Sequence, residues 1–186
     1  MIKVFGVGNI MLCDDGIGVK VAEYIKKELE SNENIGLNKN VELELNKNKK
    51  LNKNKELSKN IEVIIGETDF MYCLDCINKD DFVVIIDGTY FDFKPGHISK
   101  LSFEECDNLI VESRDPHGDS LLKVLRREYR EINGYLIGIE IDKVDYSLDL
   151  SPKLNKEFNS ICNRVLDKIK TLICLSEVQI NSKSVV

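Results

Sequence analysis

The chain has 186 residues, 42% hydrophobic and 31% charged, enough for one domain with a real core. A net charge of −6 argues against a nucleic acid or an anionic membrane surface as partner. No run approaches the roughly 20 apolar residues of a membrane span, and the opening apolar stretch is too short for an export signal, so the six cysteines are expected to stay reduced in the cytoplasm.

Residues 2–7 read as a buried strand. A glycine-bracketed turn follows, Gly6-Val7-Gly8-Asn9, and then two adjacent carboxylates, Asp14 and Asp15. The turn begins like a dinucleotide fingerprint, but Met11 stands where the third glycine belongs, and two carboxylates repel a pyrophosphate. A cation is the better guess for what this loop meets. Residues 16–30 read as a helix with Val21, Ala22, Ile25 and Leu29 on one face. From 31 to 60 the composition turns to Asn, Lys, Leu and Glu, with Leu-Asn-Lys-Asn at 37–40, 45–48 and 51–54. This low-complexity insert reads as an expanded surface loop, with Val41 to Leu45 as an alternating strand candidate.

Order resumes with a strand at 61–65, followed by a short helix bearing Phe70, Cys73, Leu74 and Ile77. Residues 82–87 form a continuous apolar run, as a central parallel strand requires, and end in Asp87. Lys94-Pro95-Gly96 predicts a turn, 97–101 a strand, 119–131 a helix and 134–141 a further strand. Ser151-Pro152 opens a last helix, with serine as N-cap, running to about Leu172. The expected architecture is one α/β domain over 1–175, a three-layer sandwich with a largely parallel, mixed central sheet and helices on both faces, and a frayed tail at 176–186.

Loops following the strands should gather on one sheet edge. Asp14 and Asp15, the helix bearing Asp75, and the Asp115-Pro116-His117-Gly118-Asp119 segment are the candidates to converge there. Two carboxylates and an imidazole suit a divalent transition metal, or an acid/base pair around a water. Cys73-Leu74-Asp75-Cys76 is a C-x-x-C, but it has no second pair to complete a zinc site, and Cys73 falls on an apolar face. Neither a G-x-S-x-G elbow nor an H-E-x-x-H motif occurs.

Taken in order, four stretches resemble the maturation endopeptidases that process the large subunits of nickel–iron hydrogenases. They are Gly6-Val7-Gly8-Asn9 with Asp14-Asp15-Gly16-Ile17-Gly18, Leu74-Asp75, the strand Val83 to Asp87 with Pro95-Gly96, and Pro116-His117 before a leucine-bearing helix. The resemblance implies an endopeptidase that removes a C-terminal extension from the large-subunit precursor after nickel insertion. It further implies that Asp15, Asp75 and His117 contact nickel carried by that precursor. Here Asp15 replaces the glutamate common at its position, and Gly66-Glu67-Thr68 replaces a Gly-Gly-Thr turn. A nickel-binding accessory protein, or a peptidase of this scaffold with another substrate, would use the same ligands.

Overall fold

The computed structural model describes residues 1–35, 60–112 and 120–183. The insert's strand candidate at 41–45 and His117 both lie outside them. Five strands, β1 (Ile2–Val7), β2 (Ile61–Glu67), β3 (Phe82–Thr89), β4 (Ile98–Ser102) and β5 (Gly134–Glu140), form one sheet in the order β2-β1-β3-β5-β4. β1, β2, β3 and β5 run parallel; β4 is antiparallel to β5. The expected mixed sandwich is therefore observed.

The alternation of side chains along the strands divides the core into two layers. On one face Val4, Val84, Ile86, Ile137 and Ile139 pack with Val21 and Ile25 of α1 (Ile17–Ile35) and with Ile161, Val165 and Ile169 of the C-terminal helix. On the other, Phe5, Val83, Ile85 and Leu136 meet α2 (Phe70–Asp75), α3 (Phe103–Glu112) and α4 (Leu121–Glu128) through Cys73, Phe103, Leu121 and Leu125. Strands covered on both faces must be apolar at successive positions, which is why 82–87 carries no polar residue before Asp87.

Three elements depart from expectation. α3 is not evident from periodicity, yet it has a capping box: Ser102 Oγ accepts from Glu105 N (3.2 Å), and Glu105 returns a carboxylate to Ser102 N (2.7 Å). The predicted helix over 119–131 is shorter, beginning after the Ser120 N-cap, whose hydroxyl accepts from Lys123 N. The last helix, α5 (Pro152–Lys183), continues well past Leu172, since no glycine or proline interrupts 173–183.

The sheet order fixes where a site can form. The chain passes outward from β1 to β2, then returns across β1 to enter β3. The crevice beyond the carboxyl ends of β1 and β3 is the topological switch point, where ligands bind in open α/β sheets. Gly18 lets α1 start tight against this edge: a Cβ there would lie 2.3 Å from Ile86 O and 2.4 Å from Val7 O.

Candidate functional site

The loop leaving β1 is built by local hydrogen bonds. Asn9 Oδ1 accepts from Met11 N (3.0 Å), Leu12 N donates to Asn9 O (3.0 Å), and a 3-10 turn (Cys13–Gly16) carries both aspartates. Gly8 takes φ +125°, and a Cβ there would fall 2.0 Å from Asp15 O, so only glycine lets the loop close over the carboxylate pair. Cys13 is held at φ +56°, a left-handed conformation unusual for a residue with a side chain.

The two aspartates do different work. Asp14 is fully buried and turns inward. It accepts from the backbone N–H groups of Asp142 (3.1 Å), Lys143 (3.2 Å) and Ser151 (2.7 Å), tying the β1 loop to the loop after β5 and to the start of α5. Asp15 is half-buried and accepts from Asn9 N at 2.8 Å. Its electrostatic neighbour is Asp87, at the end of β3. Burial, and then the negative charge of Asp15, push the Asp87 carboxyl up to about 7, while the Gly88 N–H draws it partly back. Two carboxylates thus lie within electrostatic reach of each other at the switch point, and the one at the end of β3 is held well above the usual carboxylate range.

Asp75 does not join them. α2 starts at the carboxyl end of β2, where Asp69 N bonds to Gly66 O (2.9 Å) and Asp69 Oδ1 caps Tyr72 N (2.9 Å). It then runs back along the sheet. By Asn78 the chain is bonded to Asp81, whose carboxylate pairs with the Met1 amino group at 3.2 Å, at the opposite edge. Asp75 lies on that return path, exposed, beside a Cys76 within electrostatic reach of Lys3. Of these two aspartates it is Asp87, and not Asp75, that lies within electrostatic reach of Asp15. Accordingly, Asp75→Asn should change stability by less than about 0.5 kcal/mol and leave activity intact, read by thermal denaturation and a cleavage assay.

Asp87 was legible as the residue ending the clearest apolar run. Among the described residues no group of three His, Cys, Asp or Glu side chains stands ready to hold a metal. The histidine that is described, His97, is exposed and stacks on Phe93 at 4.6 Å between ring centroids. The C-x-x-C is reduced; burial pushes the Cys73 thiol up to about 12, too high for a nucleophilic thiolate. At the rim, Glu67 takes φ +48°, a backbone state that glycine enters more easily, which accounts for why a glycine-rich turn suits this position.

A mostly parallel sheet with helices on both faces and two aspartates at its switch point defines an α/β protein with an acidic carboxyl edge. The family model for hydrogenase maturation protease, HycI, matches residues 46–168, and the chain belongs to that family. It is a protease by class. A Methanocaldococcus jannaschii protein named provisionally as hydrogenase maturation protease MJ0253 is 25% identical over 172 residues, covering 90% of this chain and 93% of its own. The fold is shared with the hydrogenase maturating endopeptidase HybD from Escherichia coli, at TM-score 0.63 and 23% identity, covering 91% of this chain and 92% of that one. It is shared too with the NiFe hydrogenase maturation protease HybD from Thermococcus kodakarensis, at TM-score 0.60 and 20% identity, covering 92% and 97%. Among the described residues no helix is long and apolar enough to cross a membrane.

Proposed function

We propose that this protease removes the C-terminal extension of a nickel–iron hydrogenase large-subunit precursor once nickel has been inserted. The observation that carries the reading is the Asp15–Asp87 pair, whose mutual repulsion is relieved by a divalent cation between them. The nickel is part of the substrate. It docks against both carboxylates, hard anionic ligands that such an ion accepts, and the family resemblance adds His117 as the imidazole. Asp87 gives up its proton as the cation arrives.

A precursor without nickel brings no cation to the acidic pair and gains no anchor there, so cleavage is conditional on the metal. Hydrolysis then adds one water across the scissile amide, its oxygen to the carbonyl carbon and its protons to the leaving amine. The free thiols among the described residues suit a reducing cytoplasm as the place of action. Nickel-loaded and nickel-free precursors should be incubated with the enzyme and weighed by mass spectrometry. Loss of a C-terminal fragment from the loaded form alone is the expected result; equal cleavage of both, or of neither, would reject the reading.

A further inference from the structure

The exposed apolar side chains are concentrated at the carboxyl edge of the sheet. The loops leaving β1, β3 and β5 present Met11, Tyr90, Phe93, Val144, Tyr146 and Leu148 to solvent. Tyr146 is 89% exposed, Tyr90 73% and Leu148 65%. Apolar surface gathered in this way marks an interaction site far more often than scattered single residues do.

These loops are fastened rather than loose. Glu140, buried, accepts from the N–H groups of Phe91 (2.8 Å) and Phe93 (3.1 Å). The loop after β5 is held by Asp14, and Ser147 both accepts from Cys13 N (2.8 Å) and donates to Met11 O (3.0 Å). Side chains on a backbone fixed in this way lose little further freedom when a partner covers them.

In the loop after β5, Lys143 pairs with Asp145 (3.5 Å) and Lys153 with Asp142 (2.6 Å), so its two lysine partners are engaged locally. Among the described residues no cationic side chain forms an ion pair with Asp15 or Asp87. The edge is thus an apolar collar around an anionic centre. A free metal ion would leave the collar uncovered. A second copy of this chain would bring two such centres and two net charges of −6 face to face.

We propose that the collar grips the polypeptide of the large-subunit precursor through apolar side chains flanking its bound divalent cation, and so selects the protein as the acidic pair selects the metal. This rests on the function proposed above. Tyr146→Ser and Leu148→Ser leave the acidic pair and the core untouched. With nickel-loaded precursor each should raise KM about tenfold while kcat stays within about twofold, and the double variant should compound the loss. Calorimetric titration with nickel ion alone should be unchanged, and Tyr129→Ser, an exposed aromatic after α4, should behave as wild type.

A wild-type KM in the double variant, or a loss confined to kcat, would overturn the proposal. So would sedimentation showing a wild-type dimer that Tyr146→Ser dissolves, since a second copy would then own the collar. A wild-type enzyme that binds the precursor without cutting it refutes the cleavage reading and leaves the collar to be judged by the same tenfold loss in binding. One that neither binds nor cuts it refutes both.

Discussion

Asp87→Asn is expected to give a folded protein that leaves the precursor uncut and is more stable than wild type in alkaline solution. The sign follows from linkage. The Asp87 carboxyl is raised from 3.8 to about 7, so between these values the native state keeps a proton that the unfolded chain has released. The contribution to stability therefore falls as pH rises through this window, and the full penalty is present above it. At about 1.4 kcal/mol per pH unit the shift sets an upper bound of about 4 kcal/mol, and solvent screening of the partly exposed Asp87 brings the wild-type penalty to the order of 2–4 kcal/mol. Asparagine never ionises and escapes much of it, so the variant should melt several degrees higher at about pH 8 and close to wild type at about pH 4. The same substitution removes the charge that the cation requires, so cleavage should fall at least about 100-fold. For the wild type, affinity for loaded precursor should weaken as pH drops below about 7, where the cation must displace a proton. Normal processing by a stabilised Asp87→Asn protein would remove Asp87 from the site.

Asp14→Ala should do the reverse, damaging the fold rather than the chemistry. Three backbone N–H groups lose a charged acceptor in a place water does not reach freely. With roughly 1–3 kcal/mol lost for each stranded donor, and partial repair by relaxation, the total should be about 3–5 kcal/mol. That is a large share of the stability of an ordinary domain, about 5–15 kcal/mol. Asp14→Asn keeps one acceptor oxygen and should lose about half as much. Urea denaturation monitored by circular dichroism measures both. A loss under about 1 kcal/mol for the alanine variant would show that the loop after β5 holds itself in place.

Much of the fold was legible because its strands are covered on both faces. The run from Val83 to Ile86 can be little else than a central strand, and Ser151-Pro152 announces α5. The α3 helix escaped notice because its signal is a capping box, Ser102 with Glu105, rather than a stripe of apolar residues. The site was legible by halves. Asp15 follows directly from its loop, but Asp75 and Asp87 could not be separated by spacing alone. The distinction lies in polarity. A residue that ends a parallel strand is committed to the carboxyl edge, whereas a residue that ends the next helix has been carried back toward the other. The part of the site assigned to His117 lies beyond the described residues.

The three hydrogen bonds to Asp14 also bear on how the enzyme comes into being. Its acceptor is made first, and the donors at Asp142, Lys143 and Ser151 follow 128 to 137 positions later. During translation the β1 loop emerges with a carboxylate destined for burial and nothing to receive it. Until the start of α5 leaves the ribosome, that loop lacks one of the three bonds that fasten it. A chain truncated before Ser151 is expected to hold the β1 loop by the two weaker bonds from Asp142 and Lys143 alone.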